Sequence, residues 1–196
     1  MRIILIHGFN ANPEMNFIPW LKDQLQEKGF EVLAPSLSLR TDQEINLPTI
    51  LEEVKKQVGC LHGEDIIVGH SLGGLIALQY LQSAEMTEPP RAVLLVASPW
   101  KVSKPELRHL FIEDLDADVI MWKAEEFIVI HSEDDKLVPV EHGHRLAAAL
   151  KARLVLQTSD DHFMGTEYPI LKELLLEIAN TPIVFEPGKT LRDDFA

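Results

Sequence analysis

Ser71 lies in Gly69-His70-Ser71-Leu72-Gly73, where an apolar run (DIIVG) gives way to an apolar helical stretch (LGGLIALQYL). A serine spaced this way between two glycines occupies a sharp, strained strand-to-helix turn, and the glycines leave the room that the turn requires. Its hydroxyl is presented at the tip. The amides that open the following helix point at the same spot, where they stabilise developing negative charge. The competing reading is a glycine-rich turn with a helix-capping serine. A hydroxyl becomes a useful nucleophile only beside a base, and the base needs an orienting carboxylate. His162, in the loop after RLVLQT, is the candidate base, and Asp135, at the end of FIVIHS, the candidate acid. Asp134 adjoins Asp135, and only one of the pair can face His162; Asp135 is preferred, with Asp134 as a turn residue. Three strand ends converging on one nucleophile, base and acid favour acyl transfer over a capping serine.

The other histidines are read as structural or solvated. His70, beside Ser71, is expected to turn its ring away from it. His7 ends the first apolar run and His131 lies inside the fifth, as core residues. His62, His109, His142 and His144 fall on helices or loops and are expected in solvent; His142 and His144 cannot share a helical face, so no metal site is expected.

These residues need elements to hold them. Six short apolar runs recur at 3–6, 31–35, 65–69, 92–98, 127–132 and 153–158, each nearly continuous, as strands buried on both faces are. Helical stretches alternate with them: Pro19–Lys28, closed by Gly29; Thr49–Val58, closed by Gly59; Leu72–Gln82; Val140–Ala152; and Glu167–Ala179. Alternation of this kind predicts a doubly wound α/β domain with a parallel sheet and helices on both faces. In such sheets ligands bind beyond the carboxyl ends of the strands, where the candidate residues fall. One domain is expected over 1–180, with 181–196 as a C-terminal tail.

Composition sets outer limits. With 196 residues, the chain can bury a core without staples. A net charge of -13, from 18 Lys and Arg against 31 Asp and Glu, argues against nucleic acid and anionic membranes. No stretch approaches the roughly 20 apolar residues of a membrane helix. The single Cys60 and the absence of a signal-like start predict a cytoplasmic protein.

IHGFNANPEMNFIPWL at the start, GHSLGG at the turn, HSEDDKLVPVEHG around the acid and DDHFMG around the histidine together resemble the small α/β-hydrolases related to retinoblastoma-binding protein 9 and the bacterial YdeN proteins. The resemblance runs to about Ala179. It implies a minimal α/β-hydrolase fold without a lid domain, its usual first antiparallel strands absent, with six parallel strands in the order 2-1-3-4-5-6. It implies that the main-chain N–H groups of Phe9 and Leu72 form an oxyanion hole, and its D-x-x-V-P continuation, here Asp135 to Pro139, also selects Asp135. It departs at Asp161, where the family commonly has glycine before the histidine.

The expected activity is hydrolysis of a small soluble ester, thioester or amide through an acyl-enzyme on Ser71, with neither metal nor cofactor. Residues 101–125 are too few for a helical lid, and an open, shallow pocket is expected, walled by Trp100, Phe163 and Met164. Two alternatives stand beside this. Asp134, Asp160 and Asp161 could attract an amine, as in an aminopeptidase; or the chain could be a silent binding protein on a hydrolase fold. A protein partner has no support in sequence: the Leu-x-Cys-x-Glu peptide of retinoblastoma-protein binding is absent, Cys60 lying in VGCLH.

Overall fold

In the computed structural model, residues 1–40, 46–84, 86, 88–102, 107 and 115–181 are described. Six strands form one parallel sheet: β1 Arg2–Ile6, β2 Glu31–Leu33, β3 Ile66–His70, β4 Ala92–Val96, β5 Glu126–Ser132 and β6 Arg153–Gln157. Their order is β2-β1-β3-β4-β5-β6, as the resemblance implied. The helices are α1 Ile18–Gln26, α2 Leu47–Val58, α3 Leu72–Ser83, a short α4 Ala117–Ile120, α5 Glu141–Leu150 and α6 Pro169–Asn180.

The continuous apolar runs are explained by two cores, one on each face. Along β1, Ile4 and Ile6 face one core, while Ile3 and Leu5 face the other; β4 divides Val93 and Leu95 from Leu94 and Val96 in the same way. A period of two with both faces buried leaves no solvent-facing position along these stretches. Helices α2, α3 and α5 cover the first face through Ile50, Val54, Leu75, Leu78 and Leu146. Helices α1 and α6 cover the second through Leu21, Leu25, Leu171 and Leu175. Every residue of α3 from Leu72 to Leu81 is buried, so this helix, which carries the candidate nucleophile at its head, is the most enclosed of the set.

β6 departs from expectation. Despite its apolar run it is only partly covered, and Leu156 is exposed, because it closes the sheet as an edge strand and has a neighbour on one side only. The expected tail over 181–196, from residue 182 onward, and the expectation of no lid, within 103–106 and 108–114, lie outside the described residues. Among those described, no helix is long and apolar enough to cross a membrane.

Register decides what shares a rim. Ile6 pairs with Gly69, His70 with Val96, Val96 with Ile130, and Ser132 with Gln157. The chain segments that leave β1, β3, β5 and β6 therefore emerge together at the carboxyl edge.

Candidate active site

Ser71 has φ 53 and ψ -124, a conformation that costs a residue with a Cβ. Neighbouring contacts hold it there: its N–H donates to the Val96 carbonyl at 2.8 Å, and its own carbonyl accepts from Gly74 N–H at 3.0 Å. The flanking glycines are needed for space. A Cβ on Gly73 would run into the carbonyl oxygens of Ile6 and His7, and one on Gly69 into the backbone of Gly74.

From this turn a hydrogen-bonded chain runs outward. Ser71 Oγ lies 2.8 Å from His162 Nε2, and His162 Nδ1 lies 2.7 Å from Asp135 Oδ2. A carboxylate can only accept, so Nδ1 carries the proton, and in the neutral ring Nε2 is left as the acceptor for the serine hydroxyl. That is the tautomer a base acting on serine requires.

Asp135 is buried and accepts from four directions. Leu137 and Val138 N–H donate to Oδ1 at 2.9 and 2.8 Å, while His162 and, at 3.3 Å, His131 face Oδ2. Burial works against its ionisation, but the hydrogen bonds from His131, His162 and Val138 N–H outweigh it and hold the carboxyl far below the usual carboxylate range. Asp134 points elsewhere. Its Oδ1 accepts from Ser132 Oγ at 2.5 Å and from Asp161 N–H at 3.0 Å, latching the end of β5 to the loop after β6.

Asp161 explains the missing glycine. It adopts a left-handed conformation, φ 46, which aspartate tolerates better than most residues with a side chain. Phe163 is left-handed too, φ 54, so the chain twists on both sides of His162. That twist overturns one expectation. Consecutive side chains diverge, and while His162 reaches Ser71, Phe163 turns inward, fully buried against Tyr168 at a ring separation of 4.9 Å. Phe163 anchors the loop and is no part of the pocket wall.

A cavity of about 190 Å3 opens over Ser71. Phe9, Leu72, His162 and Met164 line it, together with Asn16, Leu137 and Val138. Trp100 does not line it: its ring packs against the first core, and its contribution is its main-chain N–H, donated to His142 Nδ1 at 2.9 Å. His142, expected in solvent, is in the wall.

Two further histidines carry positions that their surroundings in sequence did not reveal. His131 Nε2–H is shared between the Val138 carbonyl, at 2.8 Å, and Asp135. His70 Nε2–H donates to the His162 carbonyl at 2.9 Å, tying the loop that carries His162 to the turn. A histidine inside a buried strand must find a partner, and this was the available signal.

Burial pushes the His70 imidazole down to about 4, against the opposing pull of its bond to the His162 carbonyl. The unfolded chain takes up this proton near pH 6.5, whereas the folded one resists until about 4. Stability is therefore full above the unfolded value and falls as pH drops through this window, by roughly 3 kcal/mol from His70. His7, lowered mainly by burial, adds in the same direction. Thermal melts from pH 7.5 to 4 should show the decline, and His70→Gln should flatten it.

The sequence model described as serine hydrolase matches residues 3–167. The YdeN protein of Bacillus subtilis (strain 168) is 29% identical over 181 residues, which cover 89% of this chain and 94% of that one. Its crystal structure aligns with a TM-score of 0.84 at 25% identity, over 92% of this chain and 99% of its own. A protein of the α/β-hydrolase superfamily from Xanthomonas campestris pv. campestris follows at 26% identity and a TM-score of 0.63, over 90% and 98%. Est1E of Butyrivibrio proteoclasticus, 17% identical with a TM-score of 0.72 over 92% and 90%, shares the fold.

Proposed function

Because this chain belongs to the serine hydrolase family, we propose that Ser71 is its nucleophile, His162 its base and Asp135 the orienting acid, in the cleavage of a small ester or thioester. The observation that carries this reading is the unbroken line of hydrogen bonds from Ser71 Oγ through His162 to Asp135 at the floor of the cavity.

As Ser71 Oγ bonds to the substrate carbonyl carbon, its proton passes to His162 Nε2 and the carbonyl oxygen takes the negative charge. The main-chain N–H groups of Phe9 and of Leu72, first residue of α3, hold that oxygen, assisted by the helix dipole. Collapse breaks the bond to the leaving alcohol or thiol, which takes the proton from His162. Water then attacks the acyl-serine with His162 again as base, releasing the carboxylic acid and restoring the serine hydroxyl.

The character of the wall bears on the substrate. Among the described residues, no aspartate or glutamate lines the cavity, and Leu72, Val102, Leu107, Leu137 and Met164 give it an apolar surface. An amine buried there would lack a counter-charge. Asp134 is committed to the latch, away from the wall. This favours esters and thioesters over aminoacyl amides.

A serine-directed fluorophosphonate tests the assignment. Peptide mapping should find one adduct on Ser71, strongly slowed in His162→Ala, and p-nitrophenyl esters of short acids should turn over faster than aminoacyl amides. A folded protein that never labels would favour a silent binding protein, and turnover confined to aminoacyl amides would overturn the substrate class.

A further inference from the structure

His142 stands in the first turn of α5, in the cavity wall. Its Nδ1 accepts the Trp100 main-chain N–H at 2.9 Å, and only an unprotonated ring nitrogen can do so. The ring's one proton is therefore on Nε2. Burial also pushes this imidazole down from its ordinary value, which keeps it neutral. The described residues supply no hydrogen-bond partner for Nε2, yet it is not an enclosed orphan; among the described residues the buried side-chain polar atoms without partners are Nδ1 of His70 and of His131. The result is an accessible donor of fixed protonation, set beside Val138 and Pro139 in the same cavity as Ser71. Lys101 is the charged side chain among the described lining residues.

We propose that His142 determines specificity, its Nε2–H donating to an oxygen of the substrate away from the scissile bond. The preferred esters or thioesters then carry a second acceptor, a carbonyl, ether or carboxylate oxygen, in place of a plain hydrocarbon chain. This rests on Ser71 being the nucleophile. The physical reason is that any substrate filling the cavity strips water from Nε2. An oxygen in the substrate replaces the lost hydrogen bond and a methylene does not.

Two matched pairs test it, one on each side of the scissile bond: p-nitrophenyl 4-oxopentanoate against p-nitrophenyl 4-methylpentanoate, and 2-methoxyethyl butyrate against butyl butyrate. Within each pair the ratio of kcat/KM is compared between wild type and variants, which cancels intrinsic reactivity. His142→Asn keeps an acceptor for the Trp100 N–H but ends short of the Nε2 position; His142→Gln reaches that position with an amide donor. The preference for the oxygenated member should fall roughly tenfold in His142→Asn for at least one pair, and recover in part in His142→Gln. Unchanged ratios in both pairs overturn the proposal, including the case where every ester slows equally, which marks a role in holding Trp100 alone. Fluorophosphonate labelling separates the two readings. Labelled Ser71 with unmoved ratios sinks only His142, whereas unlabelled Ser71 in the wild type sinks the nucleophile assignment itself.

Discussion

Ser71→Ala should lower kcat for a p-nitrophenyl ester by a factor on the order of 10^4 to 10^6, since nucleophile and base act as a unit and little survives the loss of either. The fold should hardly register the change, because only the bond to His162 Nε2 is lost and alanine bears the same strain at φ 53. Ser71→Gly sharpens the test. It removes the nucleophile and also relieves the backbone, since glycine enters this region without a Cβ clash, so the inactive variant should be more stable by about 1 kcal/mol. Kinetics and thermal melts on the three proteins check both halves. An active Ser71→Ala protein would remove the proposed chemistry, and a destabilised Ser71→Gly protein would contradict the account of the turn.

Asp135→Asn should cost about 10^4 in kcat, while Asp134→Asn should cost less than tenfold. Asp135 offers its two oxygens to four N–H donors. An asparagine has one acceptor oxygen, so whichever way its amide is turned, an NH2 group confronts either the Leu137 and Val138 N–H pair or the two histidines. Forcing His162 to present an acceptor at Nδ1 moves its proton to Nε2, where it cannot take the serine's. Buried donors left facing each other should also cost about 1 to 3 kcal/mol of stability. Asp134 accepts both of its bonds on Oδ1, which an asparagine oxygen reproduces. Rates and melting temperatures of the two variants discriminate the pair, and a larger loss at 134 would reassign the acid.

The neighbouring aspartates show where sequence reading stops. Both follow the same strand, both are acidic, and local pattern alone leaves the choice between them to preference. Both reach the loop after β6, and what separates them is that Asp135 meets the His162 ring whereas Asp134 meets the Asp161 main-chain N–H, a relation that depends on the pairing of Ser132 with Gln157. Phe163 shows the converse error. Its place beside His162 suggested a shared pocket, but left-handed residues on both sides of the histidine send the two rings apart. His142 and Trp100 exchanged expectations for a similar reason: the main-chain N–H of one meets the ring of the other across 42 positions.

From the sequence alone came the parallel α/β architecture, since short, nearly continuous apolar runs alternating with helical stretches mark the strands of a parallel sheet covered by helices. So did Ser71 as the candidate nucleophile, since the spacing Gly69-x-Ser71-x-Gly73 between a strand and a helix is a local pattern. Tertiary structure decided the partners of the other histidines, which aspartate bonds His162 and the make-up of the wall. Each of these depends on the distance between atoms far apart in the chain, and a one-dimensional pattern carries the strength of local preferences but not the register that sets those distances.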